Sequence, residues 1–422
     1  MVAERKLTKE EILNAAAIQR VVDEVGDAGG GKVVLPEMEL VLDRGIRLRT
    51  GVELVGQGEK TVLRKGPGEV YPLSGYHNYG MCDVPLISAK GLEVGMTVSV
   101  HDDDTHGGFY ETFATITWID GNWVGLDHGV EADYMVKETP CLTTICPLVF
   151  AHYIEGAALR QVHLEGNRAA NEKAMGGCRG GAVYFGNCRD IEVEGVSQRD
   201  YFGEGLSFQM CRDVRIIDSS FAENTGNGLH PGAGSTNVLF DRCRGEGNKR
   251  SGFNFCVRAN HITVRGCEFN NNDTGVSIGT RDCYNLIEDC VIEGNKGAGV
   301  LVRHTPRPTE VHSCAVRRCR IGGNAWEAGQ GQIEVVADAH DLIFGANEIS
   351  GSTQKSGPGI FIAETASEVY LQDNRFAGCE SAVSAAAASL ATAEIDIECG
   401  YDSGDETIFR HLLSGERGAR PS

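Results

Sequence analysis

Positive charge is scarce in this chain. Lys and Arg together number 39 against 59 Asp and Glu, for a formal net charge of −20. So acidic a protein is not expected to take nucleic acid or an anionic membrane surface as a partner, and the balance also weighs against a polyanionic ligand. Long apolar runs are missing too. No stretch approaches about 18 apolar residues, so no span across a membrane is expected. The opening residues Met1-Val2-Ala3-Glu4-Arg5-Lys6 lack the apolar core of a signal peptide. The expected location is cytoplasmic, or secreted if a leader has been removed. Gly29-Gly30-Gly31-Lys32 lacks the spacing of a phosphate-binding loop and reads as a turn. Cys141 with Cys146, and Cys314 with Cys319, lack zinc-ligand spacing and paired histidines, so no structural metal is expected.

What the chain has in abundance is repetition. The pattern small-apolar-x-apolar occurs as Ala182-Val183-Tyr184-Phe185, Gly205-Leu206-Ser207-Phe208, Gly228-Leu229-His230-Pro231, Gly252-Phe253-Asn254-Phe255, Gly275-Val276-Ser277-Ile278 and Gly299-Val300-Leu301-Val302. The first residues lie 23, 23, 24, 23 and 24 apart. Irregular copies follow at Gln332, Gly359 and Ala382. Alternation with period two makes each unit a strand. A fixed period of this length means stacked units that bury their apolar faces only against one another, and it predicts a parallel β-helix. The 55 glycines suit the tight turns between rungs.

Two further columns run in phase. Asn224, Asn248, Asn272 and Asn295 precede the strands, where left-handed turn geometry and an amide ladder suit Asn. Cys243, Cys267, Cys290 and Cys319 each lie five residues before an Asn, with Ser219 in the same place before Asn224. The odd total of 15 cysteines and this column predict reduced, buried thiols that pack as small hydrophobes, which suits a reducing compartment.

With these columns in place, the chain resembles the right-handed parallel β-helix superfamily of pectate lyases, polygalacturonases and phage tailspikes. Ala15-Ala16-Ala17-Ile18-Gln19-Arg20-Val21-Val22-Asp23, followed by Gly31-Lys32-Val33-Val34, is similar to that superfamily's capping helix and first strand. The predicted organisation is all-β. A capping segment spans 1–31, with an amphipathic helix over 8–28, and first rungs span 32–65. An inserted β-module spans 66–146, with strands over Gly91–Asp103 and Phe113–His128 and a turn at Asp120-Gly121-Asn122. The regular solenoid runs over 147–390, and a polar cap or tail over 391–422. The module is expected to stand as a wall beside the solenoid.

The resemblance implies action on carbohydrate, with the cleft on the outer face of the repeated strands. The outward positions read Val149, Tyr184, Ser207, His230, Asn254, Ser277, Leu301, Glu334 and Phe361. Tyr184, Ser207, Asn254 and Asn227 are candidates to bind an oligo- or polysaccharide. Asp200 and Glu223 lie 23 residues apart, Glu246 lies 23 further on, and Glu204 directly precedes Gly205. Carboxylates on adjacent rungs would stand about 5 Å apart, near the separation of the acid and nucleophile in retaining glycosidases. The leading expectation is therefore hydrolysis by Glu204 and Asp200, with Glu223 beside them and His230 as polariser. A polysaccharide lyase or uronate epimerase is the alternative. Lys249 or Arg258 would then neutralise the substrate carboxylate, His230 or Tyr184 would move the proton, and Asp200, Glu204 and Glu223 would hold Ca2+. Otherwise no cofactor is expected. A non-catalytic glycan-binding protein is the third reading, and under any of the three the oligomeric state is left open between monomer and trimer. Arg189-Asp190, Arg212-Asp213 and Arg281-Asp282 are expected to neutralise one another. His101 through His106 reads as a solvated loop, and no base is placed for Cys256.

Overall fold

The computed structural model describes residues 3–103, 111–171, 177–327, 330–336, 338–392, 398–401 and 410–411. It comprises two compact units, Met1–Gln209 with Glu223–Gly226, and Met210–Ala222 with Asn227–Ser422. Both are built of parallel rungs, as the repeat predicts. Apart from 410–411, the expected tail beyond 401 lies outside the described residues.

In the first unit the helix is Ala15–Asp27, shorter than the span read from sequence. Asn14 caps it by accepting the amide of Ala17, and Leu13 before it is largely exposed. An N-cap side chain satisfies an amide that the helix leaves open, so it sets the start more sharply than polarity does. Ile18, Val21, Val22 and Val25 bury one face. A strand not foreseen, Ala3–Lys6, pairs parallel with Gly31–Val34. Gly30 is required here: at φ 103° its Cβ would lie 2.6 Å from the Gly51 carbonyl oxygen.

The insertion is a six-stranded antiparallel sheet with its own apolar core, including Tyr71, Val98, Val100, Ile116, Val124 and Leu142. The strands Thr112–Asp120 and Trp123–Leu126 are joined at Gly121-Asn122, as read from sequence. His101 is not in a loop: it lies buried in strand Thr97–His101 and bonds Thr143 Oγ1 at 2.9 Å. Residues 104–106 lie outside the described residues.

In the second unit the outer column has the expected register, with Asn254, Ser277, Leu301, Glu334, Phe361 and Ser384 side by side on successive strands. Leu229, Phe253, Val276, Val300, Ile333 and Ile360 fill the interior. Phe253 packs edge-on to Phe240 with centroids 4.7 Å apart.

The Asn column is a hydrogen-bonded ladder. Asn272 Oδ1 accepts the backbone amide of Asn248 at 2.9 Å and its side-chain amide at 3.0 Å. Asn295 does the same for Asn272, and Asn324 for Asn295. The left-handed residue of each turn is the one before the ladder Asn, at Glu223, Gly247, Asn271, Gly294 and Gly323. The sequence reading had placed that geometry on the ladder residues themselves. Cysteines 243, 267, 290 and 319 are buried and free. Their column does not end at Cys319, whose amide donates to Asn347 Oδ1 at 2.9 Å, and Asn347 in turn donates to Asn374.

Asn272→Ala should cost about 2–4 kcal/mol in denaturant unfolding. It strands two donors of Asn248 and the carbonyl of Gly245 inside the solenoid. A loss below about 0.5 kcal/mol would mean that the ladder is ornamental.

Candidate active site

In the first unit the strands Ile46–Arg47, Val149–His152, Gly181–Gly186 and Glu204–Gln209 lie parallel. Phe150 aligns with Tyr184 and Ser207, so Phe150 holds the outer position that the sequence reading gave to Val149. This face is not open. The inserted sheet lies over it as a roof and not beside it as a wall. Phe113 packs edge-on against Tyr184 with centroids 5.1 Å apart. His128 lies 5.3 Å from His152, ring to ring, and Arg47 pairs with Asp127 at 3.1 Å. Arg179 pairs with Glu131 and donates to the Glu111 carbonyl. Burial, with a further push from neighbouring His128, lowers the pKa of His152 to about 3, so its ring is neutral.

Tyr184 and Ser207 are thus buried, and neither offers a surface for a sugar. Ser207 Oγ donates to the carbonyl of Cys178, as does Gln209. The repeat fixes which way these side chains point and says nothing of what lies above them. Glu204 is buried as well, its side chain filling the space that Gly226 leaves by having no Cβ. Asp200 is half-buried and committed to Arg168, at 2.9 Å. The same arginine donates to the Glu223 carbonyl at 3.1 Å. Asp200 and Glu223 do share a left-handed column on adjacent rungs, and Glu223 is exposed. Glu246 leaves that column, and Gly247 takes the place. A nucleophile and an acid need two accessible carboxyl groups, and this cluster offers one.

The second unit gathers the remaining candidates at the two ends of its face strands. At the entering end, Asn227 is buried and accepts the Ser251 amide at 2.9 Å, which makes it a turn residue. Lys249 is exposed on the turn beside it. On the face, His230 and Asn254 are buried. A ring nitrogen of His230 lies within 4.8 Å of the Cys256 sulfur, a pairing that sequence spacing did not reveal.

At the leaving end the structure adds a residue that sequence reasoning missed. Arg303 follows strand Val300–Val302 and lies flat across Gly279. A Cβ at Gly279 would be 2.1 Å from Arg303 Nη2. The guanidinium donates to Asn254 Oδ1 at 2.7 Å and to the Phe255 carbonyl at 2.8 Å, two rungs away, and stands 3.8 Å from Asp282. Its side chain remains 32% exposed. Gly at 279 opposite Arg at 303 was the available signal, but it emerges only once the rungs are in register.

Asp282 does not neutralise Arg281, as the sequence reading expected. Its carboxylate turns inward, fully buried, and accepts the amides of Ala259 at 3.0 Å and Gly279 at 2.8 Å. Arg281 and Arg258 are left exposed at the same place on adjacent rungs, with no ion-pair partner among the described residues. Arg212 does pair with Asp213, at 3.3 Å, as expected. Arg189 instead reaches Glu155. Arg258, Arg281 and Arg303 therefore form a cationic edge on an otherwise acidic protein, and a preorganised guanidinium among them is suited to a carboxylate.

Residues 156–316 match the family model described as a right handed beta helix region. No curated protein sequence matches the chain. Among solved structures, the A-module of a mannuronan C-5 epimerase of Azotobacter vinelandii is similar, with TM-score 0.58 and 17% identity over 91% of this chain and 96% of that one. An endo-xylogalacturonan hydrolase from Aspergillus tubingensis has TM-score 0.54 and 8% identity, covering 94% and 99% of the two chains. An exopolygalacturonase from Thermotoga maritima has TM-score 0.53 and 11% identity, covering 93% of each. At such identities the likeness carries the fold. The chain is a right-handed parallel β-helix with the fold of the pectate-lyase-like superfamily.

Burial raises the Asp282 carboxyl from 3.8 to about 8, against the pull of Arg303 and the two amides. A folded-state pKa above the unfolded one favours folding most below the unfolded value, and the benefit fades as pH rises through the folded value. The thermal midpoint of the wild type, relative to Asp282→Asn, should therefore fall as pH rises from 3.8 to about 8. A difference that stays flat over that window would show the group ionised throughout.

Proposed function

We propose that the protein is a carbohydrate-active enzyme whose substrate is an acidic polysaccharide, bound by its carboxylates along Arg258, Arg281 and Arg303. The observation that carries this reading is the Arg303 guanidinium, fixed over Gly279 by Asn254, the Phe255 carbonyl and Asp282, with part of its surface open. The three structural neighbours act, by their names, on mannuronan, xylogalacturonan and polygalacturonate, which supports a uronate-bearing chain. The net charge of −20 is no obstacle, because recognition depends on the local field at the edge and not on the total.

Proton abstraction beside the bound carboxylate fits this edge better than hydrolysis. Arg303 would stabilise the negative charge that builds on the carboxylate when the adjacent proton leaves. His230 lies on the same face but is buried as Glu204 is, so it carries that proton only where substrate binding uncovers its ring. In elimination the C–H electron pair forms the new double bond, the glycosidic C–O bond breaks, and the departing oxygen takes a proton. Epimerisation returns a proton to the opposite face instead. The paired-carboxylate route has weaker support, because Glu204 is buried and Asp200 is held by Arg168. The same ion pair opposes Ca2+ on Asp200.

Incubation with polygalacturonate and with alginate, followed by ultraviolet absorbance and proton spectra of the product, separates the outcomes. Elimination leaves an unsaturated, absorbing sugar, epimerisation changes the spectrum without cleavage, and hydrolysis yields new reducing ends without absorbance. Arg303→Ala should lower kcat/KM about 100-fold or more. Gly279→Ala should do much the same by expelling the guanidinium. Activity on neutral polymers alone, or full activity in both variants, would remove the arginine edge from the reaction.

A further inference from the structure

The second unit carries a groove that the reaction at the arginine edge does not use. It lies at the opposite end of the face strands, over the turns that contain the Asn ladder. Its volume is about 920 Å3. The lining residues come from five successive rungs, at 247–249, at 271–273, at 293, 294 and 296, at 322, 323 and 326, and at 350–354. Four rung intervals of about 4.8 Å give a length of about 19 Å, enough for several sugar rings in an extended chain.

We infer that this groove is a second carbohydrate site, for an uncharged oligosaccharide segment. The floor is shaped by the left-handed column of the turns. Gly294 and Gly323 occupy it with φ of 68° and 63°. A Cβ on Gly323 would meet nothing nearer than 3.9 Å, so the missing side chain opens space along the groove. Trp326 stands over this floor, half-buried. Its indole N–H donates to the Gly294 carbonyl at 3.3 Å, which fixes the ring's orientation before any ligand arrives. A fixed aromatic plane beside open space is what the apolar face of a pyranose stacks on.

Around that plane the lining is rich in short, neutral hydrogen-bonding groups. Asn271 and Gln354 offer amides, and Asp273 accepts at the rim. Lys249, read from sequence as a substrate contact, belongs to this rim and not to the arginine edge. Lys296 is already paired with Glu327 at 2.8 Å, and the lining carboxylate of Glu293 with Arg320 at 2.7 Å. The charges along the groove thus nearly cancel. Amides and isolated charges around one aromatic plane favour hydroxyl-rich, uncharged sugars over a uronate or an apolar ligand.

The test uses the full-length protein with Trp118→Phe and Trp123→Phe. Both tryptophans are substantially exposed in the inserted sheet, and their removal leaves Trp326 as sole indole emitter. Cellohexaose, xylohexaose, mannohexaose and hexagalacturonate are titrated, and Trp326 emission is followed. At least one neutral hexamer should shift the emission saturably. In the same background, Asp273→Ala with Gln354→Ala should weaken that binding at least about fivefold, whereas Arg303→Ala should leave it unchanged. Failure of all three neutral hexamers overturns the inference. So does a response to hexagalacturonate alone, or a double variant that binds as the parent does. Turnover on acidic polymers, measured in the same proteins, reports separately on the arginine edge, so the two readings stand or fall independently.

Discussion

The hydrogen bond from a turn amide on one rung to a side-chain acceptor on the next is the interaction on which this molecule depends. A parallel solenoid satisfies its strand groups sideways, but each corner turns its amides inward, where no water reaches them. In the second unit the corners are closed by columns of side chains. Asn272, Asn295 and Asn324 close one, Cys267 and later Asn347 and Asn374 another, and Asp282 and Asn285 serve a third region near Ala259 and Ile262. Chemically different residues share these columns because each presents one acceptor to one amide at the spacing of a rung.

That constraint also explains the arrangement at the arginine edge. Asp282 is a corner residue whose acceptor role forces its carboxylate inward. The burial that raises its pKa also denies Arg281 a partner, while Arg303 reaches toward the same carboxylate from the next rung. An uncompensated cationic edge is thus a by-product of how one corner is closed. Gly279 completes it, because any side chain there would occupy the guanidinium's place.

The groove on the other side follows from the same turns. Left-handed residues must stand next to the ladder Asn, and glycine takes that place without steric cost. Where it does, the surface is hollow. Where Glu223 holds the position, a side chain projects instead. One geometric need of the backbone therefore decides where the solenoid surface is concave.

Whereas the capping helix is read from its amphipathic pattern and the superfamily resemblance, the repeat, read alone, determined the rungs, the inward faces and the Asn and Cys columns, because each is a matter of spacing along the chain. It placed Asn254 and His230 on one strand face for the same reason. It did not reveal that the inserted sheet roofs Tyr184, that Arg168 engages Asp200, or that Arg303 crosses two rungs to Asn254. Those depend on contacts between segments 32 to 71 residues apart, as with Phe113 and Tyr184, Arg168 and Asp200, and Arg303 and Asn254. A period of about 23 residues records what recurs on every rung. Which side chains meet across rungs, and what covers a face, happens once in the molecule and leaves no period behind, so only the tertiary structure decides it.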